Sequence, residues 1–221
     1  MRKFFHNNGL SITLFGLFLI TEMGLSVAGY YHYNEERQQH GEQKTEYLQY
    51  LTSASFLEAT MENWESEFLQ MGAYVFLTVF LYQKGSAESK KIDEAEAVDR
   101  DPRLASKKVG IPWPVRKGGL ILIFYEYSLT IALFLLFAIS FCWHAHSGAL
   151  EYSRQEMLHG GEPVTAVQYM GKSQFWFESL QNWQSEFLSI GMMVVLSIYL
   201  RQRGSPESKP VDSPHEATGH E

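Results

Sequence analysis

Asn63-Trp64-Glu65-Ser66-Glu67-Phe68-Leu69 returns, with one residue changed, as Asn182-Trp183-Gln184-Ser185-Glu186-Phe187-Leu188. Asn63 and Asn182 stand 119 positions apart, and the same offset pairs Gly85-Ser86-Ala87-Glu88-Ser89-Lys90 with Gly204-Ser205-Pro206-Glu207-Ser208-Lys209. Toward the N-terminus it pairs Gln49-Tyr50 with Gln168-Tyr169, His40-Gly41 with His159-Gly160, Gly29 with Gly148, and Leu14-Phe15 with Leu133-Phe134. Roughly 30 of about 82 aligned pairs are identical, including charged and loop positions that a shared hydrophobic pattern would not reproduce. The spacing predicts two copies of one unit, 9–90 and 119–209, joined by a flexible linker over 91–118 and followed by a disordered tail over 210–221.

Each copy holds two apolar stretches. In the first they cover about 9–30 and 64–83, in the second about 119–143 and 183–201. A bilayer core needs roughly 20 apolar residues in a helix, so the sequence predicts four transmembrane spans in an all-α bundle. The mean hydropathy of −0.18 does not argue against this, because the polar residues are concentrated in the connections. The opening stretch, with Arg2-Lys3, an apolar run and Ser26-Val27-Ala28, has the outline of a secretory signal. Its counterpart at 129–148 is internal, so a span is the better reading. Trp64 and Trp183 open the two shorter stretches and are expected as anchors at headgroup depth.

The charges orient the spans. Of the 18 Lys and Arg residues, fourteen fall on one side: Arg2 and Lys3, nine between Lys84 and Lys117, and Arg201, Arg203 and Lys209. Only Arg37, Lys44, Arg154 and Lys172 fall on the other. Basic residues near span ends stay cytoplasmic, which predicts cytoplasmic N- and C-termini and two copies in the same orientation, as parallel repeats related by an axis along the membrane normal. The outer connections, 32–62 and 150–181, are long enough to hold short helices lying on the membrane or the bundle. A net charge of −7 argues against nucleic acid as a partner, and the single cysteine excludes an intrachain disulfide.

Candidate functional residues are few. Glu22 lies inside the first span with no basic partner in any span, which makes it a functional candidate; Ser11, Ser26 and Gly29 share its face. Its partner position is Phe141, which favours instead a protonated packing residue. Glu67 and Glu186 are related by the offset and are expected near the outer mouth, supported by Asn63, Asn182, Thr78 and Ser197 on the same stripe. Two carboxylates near one axis can bind a cation or handle a proton, whereas the plain alternative is a helix-start role. Cys142, His144 and His146 offer metal-ligand chemistry, but i and i+2 on a helix point apart, so His144 and His146 could share an ion only if the helix ended between them. No cofactor is implied. No nucleotide loop, nucleophile motif or zinc-protease helix occurs, and an enzyme is not expected.

Asn8-Gly9-Leu10-Ser11-Ile12, the stretch from Tyr33-Asn34-Glu35-Glu36 to His40-Gly41, and both Asn-Trp-x-Ser-Glu-Phe-Leu motifs resemble a bacterial family of uncharacterised four-helix integral membrane proteins, defined only as a domain of unknown function. The resemblance covers nearly the whole chain and implies a location in the bacterial inner membrane, with no substrate, cofactor or catalytic residue attached. The leading expectation is a structural or partner-binding membrane protein, whose partners are the lipid bilayer and either another protein or further copies of itself. The alternative is a small cation or proton-linked transporter or channel.

Overall fold

A computed structural model describes residues 2–105 and 110–219; positions 106–109 of the expected linker and the last two residues of the expected tail lie outside them. The described residues form α-helices and two short 3-10 turns, with no strand. In chain order the helices are α1 (Arg2–Asn7), α2 (Gly9–Gln39), α3 (Tyr47–Tyr50), α4 (Ala54–Leu77), α5 (Trp113–Lys117), α6 (Gly119–Glu126), α7 (Ser128–Leu158), α8 (Ala166–Met170) and α9 (Ser173–Tyr199). They pack as two compact units, Met1–Met61 with Cys142–Phe175, and Glu62–Phe141 with Trp176–Glu221.

Two helices, not the expected four, are long and apolar enough to cross a membrane. They are α2 and α7, each of 31 residues, with mean hydropathies of 1.8 and 1.9 over their most apolar stretch. Only 6% of that stretch is buried in α2 and 17% in α7, and Leu10, Phe15 and Ile20 all stand exposed. The shorter pair falls outside this class for a compositional reason. α4 starts at residue 54, well before 64, and its part before Phe68 carries Glu58, Glu62, Glu65 and Glu67. α9 likewise begins at 173 and carries Glu178 and Glu186. The expected span over 119–143 is divided, because Tyr127 leaves helical geometry at φ −108, ψ 9 and separates α6 from α7.

In the first unit α2 and α7 stop at His-Gly pairs. Gly41 and Gly160 take φ 75 and 79, the left-handed conformation that ends helices, and each histidine ring sits against a carbonyl of its own last turn, His40 with Glu36 and His159 with Gln155. The chain then folds back along the helix it has left. Asn34 Oδ1 accepts the Thr45 N–H at 2.8 Å, and Ser153 Oγ accepts the Val164 N–H at 2.9 Å. α8 begins with a capping box between Thr165 and Gln168. These returns bring Tyr50 over Gly29 and Tyr169 over Gly148. Tyr30, Tyr33 and Phe56 surround the Tyr50 ring, while Tyr152 and Phe175 surround Tyr169. Tyr169 and Phe175 are fully buried.

The offset pairs Gly72 with Gly191, which predicts close helix packing through both glycines; in the second unit it occurs at one of them. A β-carbon on Gly72 would meet Leu133 Cβ at 3.4 Å and the Phe134 ring at 3.5 Å, whereas Gly191 has nothing within 4 Å. Gly72→Leu should therefore destabilise the protein by about 1–3 kcal/mol through overpacking, seen as a lower melting temperature in detergent, and Gly191→Leu should leave it unchanged. Equal losses would place the close contact elsewhere.

The turns after α4 and α9 are built alike. Gly85 and Gly204 both take φ 85, and the Ser89 and Ser208 hydroxyls accept from Gln83 and Gln202 N–H, each at 2.9 Å. In the segment after α4, Lys90 donates to Asp99 at 2.7 Å across a 3-10 turn over Ala97–Asp99. After α9 the chain closes around a buried lysine: Lys209 Nζ donates to the carbonyls of Gly85, Pro214, His215 and Ala217. Burial, and then nearby Arg201, pull its pKa below the ordinary lysine value; the four acceptors compensate for the lost hydration of the ammonium.

Candidate functional site

Past its apolar stretch, α2 ends in Tyr33, Asn34, Glu35, Glu36 and Arg37, and α7 ends with Glu151 and Arg154 on its last turns. In the first unit these ends and the segment 45–54 line a half-open cavity of about 330 Å³, bordered among others by Tyr33, Arg37, Gln49, Thr52, Glu151 and Arg154. That volume lies within the range of small-ligand pockets.

Arg154 organises the cavity. Its guanidinium donates to both Glu151 carboxylate oxygens, with Nη2 to Oε1 at 2.6 Å and Nε to Oε2 at 3.2 Å, the planar fork-to-carboxylate geometry that only arginine offers. Nη1 donates to Glu42 at 3.2 Å, and Glu36 lies 3.8 Å away. The same guanidinium sits 5.4 Å from the Tyr33 ring centre, and Arg37 sits 5.7 Å from it. Tyr33 thus holds two cations against its ring, a favourable use of the aromatic quadrupole. Arg37 donates from Nε to the Gln43 carbonyl at 2.8 Å. Glu151 is 8% exposed at its side chain and Arg154 19%, so this is a largely desolvated pair. Beside it, burial and then the hydroxyls of Tyr47 and Tyr33 push Tyr50 up to about 12, and its hydroxyl stays neutral.

Sequence reasoning missed Arg154, Glu151 and Arg37, and their counterparts at the 119 offset are Glu35, His32 and Glu156. The expected residues lie elsewhere. Glu22 is half-buried, one turn before Ser26, whose hydroxyl pairs with that of Tyr47 at 2.7 Å. Glu67 is exposed and Glu186 half-buried, close enough for their charges to repel. The carboxylate that the second unit buries is Glu65, fully shielded from solvent; its Oε1 accepts from Ser179 Oγ at 2.8 Å and from Trp183 Nε1 at 3.3 Å. Asn182 donates to Glu62 at 2.6 Å, and Asn63 is exposed. Ser197 is buried and bonded to Ser86 at 2.8 Å. Thr78 returns its hydroxyl to the Val75 carbonyl. Trp183 is a packed residue against Phe137 and Trp176, and Trp64 is half-buried.

The metal set suggested by Cys142, His144 and His146 fails its own condition. α7 runs unbroken through all three, so His144 is buried, stacked on Phe175 at 4.9 Å, while Cys142 and His146 are exposed on another face. Against that part of α7, the buried Tyr169 donates its hydroxyl to the half-buried Glu58 at 3.3 Å.

A family model described as a domain of unknown function (DUF6766) matches residues 1–220. No curated protein and no solved structure matches the chain.

Proposed function

We propose that this chain, which belongs to the DUF6766 family, is an integral membrane protein that binds a ligand or partner through a cap held outside the lipid. One observation carries this reading. The two helices apolar enough for a bilayer both end in the residues that line the polar cavity, so the groups fit for lipid and the groups fit for a ligand follow each other along the same two helices. The distribution of Lys and Arg supports cytoplasmic termini and a cytoplasmic 84–118 segment, in the inner membrane of a bacterium. The cap is then on the opposite side. Both long helices enter from the basic side, so the chain has to come back between them. We assign that return to α4, its apolar part from Phe68 on taken together with the interfacial turns that precede it from Asn63, and correspondingly to α9 after α7.

The offset of 119 supports two parallel copies. It relates both ends of α2 to those of α7, the start of α3 to that of α8, and the start of α4 to that of α9. A second reading, a proton- or cation-linked transporter, is favoured by one observation, the full burial of Glu65. Flux separates the two. Purified protein in liposomes should conduct neither protons nor monovalent cations beyond protein-free vesicles. A flux that Glu65→Gln abolishes would overturn the binding reading in favour of transport.

A further inference from the structure

We infer that the cavity beside Arg154 takes a phosphate-bearing anion, either a free phosphate compound or the headgroup of a phospholipid; this deepens the reading of the cap as a binding site. Two guanidiniums line one cavity without having exhausted their donors. A guanidinium has five N–H groups. Arg154 commits one on Nε, one on Nη1 and one on Nη2 to Glu151 and Glu42. Arg37 commits Nε to Gln43 and reaches Tyr33 Oη only at 3.5 Å. Its Nη1 also lies 3.7 Å from Glu42; donors therefore remain on both guanidiniums, which stand 5.4 and 5.7 Å from the centre of the same tyrosine ring.

The rest of the lining agrees with such a ligand. Thr52 and Ser53 add hydroxyls and Gln49 a side-chain amide, groups that contact phosphate oxygens or the alcohol they are esterified to. About 330 Å³ leaves room for the phosphate together with a small group carrying it. The carboxylates nearby do not make this a cation site. Glu151 is engaged by Arg154 at both oxygens, and Glu42 lies between Arg154 and Arg37, at 3.2 and 3.7 Å. A metal ion would have to displace a guanidinium and then sit beside the other, whereas an anion adds to an arrangement already in place.

The test is thermal stability of the full chain in a phosphorus-free maltoside detergent, with inorganic phosphate against chloride at equal ionic strength, and with and without added phosphatidylglycerol. Phosphate at 100 times its dissociation constant stabilises a folded state by about 2.7 kcal/mol, and the melting temperature rises accordingly. A rise with inorganic phosphate identifies a free anion as ligand, and a rise with phosphatidylglycerol alone identifies the headgroup. Arg37→Gln should remove the effect. Thr52→Glu is the second variant, because it places a carboxylate in the cavity while giving up only a bond from Thr52 to its own helix turn at the Gln49 carbonyl. Either variant keeping the full rise, no rise with either probe, or a larger rise with magnesium chloride would overturn the inference. Each of these leaves the membrane topology untouched, so this failure is separable from a failure of the binding reading itself.

Discussion

Gly148→Ala should be among the most damaging single-methyl changes in the chain, with Gly29→Ala close behind. A β-carbon on Gly148 would run into the Tyr169 ring and lie 2.8 Å from Glu58 Oε1. Tyr169 is fully buried between Tyr152 and Phe175 and has no free volume to move into. At Gly29 the added carbon would fall on the Tyr50 hydroxyl, 3.2 Å from its Cζ, and Tyr50 is 4% exposed. Overpacking of this kind costs about 3 kcal/mol at the upper end of its usual range. Gly24 is the control, with nothing within 4 Å. Gly24→Ala inside α2 should be neutral or stabilise by about 0.5–1 kcal/mol through backbone entropy. Melting temperatures of the three variants in one detergent decide it. If all three are alike, the tyrosines do not hold the returning segments against α2 and α7.

Arg154→Met should have an effect of the same size, roughly 3 kcal/mol, because it leaves the nearly buried Glu151 carboxylate without its bidentate partner. Glu151→Gln should cost less, since the amide oxygen still accepts one bond. The double variant should be less damaged than the two losses added together, as expected of groups in direct contact. Additive losses would mean that the pair seen at 2.6 Å contributes no coupling.

Much of the local architecture could be read from the sequence. The 119 offset anticipates where helices begin and end, because the residues that set helix ends are among those that recur: His40-Gly41 and His159-Gly160 stop α2 and α7, and Gly29 and Gly148 receive the tyrosines of α3 and α8. What the offset hides is whatever the two halves do not share. Arg154 and Glu151 fall opposite Glu35 and His32, so attention to recurring residues passed over the charges around the cavity. Glu65 was lost for the same reason, its counterpart being Gln184. It also stands two residues from Glu67, and side chains at i and i+2 of a helix face different ways, so the burial of one is no guide to the other. Gly191 shows the reverse error, since a recurring glycine need not recur in its contacts. The lengths of α4 and α9 were misjudged because hydropathy marks only their apolar halves, while their acidic first halves are helical through packing and hydrogen bonds such as Glu65 with Ser179.

The most direct test is the sidedness of two cysteines introduced singly in a Cys142→Ser background, Gln43→Cys beside the cavity and Lys91→Cys in the basic segment. In intact cells a membrane-impermeant maleimide should label Gln43→Cys from outside and leave Lys91→Cys unlabelled until the membrane is broken. Labelling of both from the same side, or extraction of the protein from membranes by alkaline carbonate, would contradict a cap held across the bilayer from the basic segments.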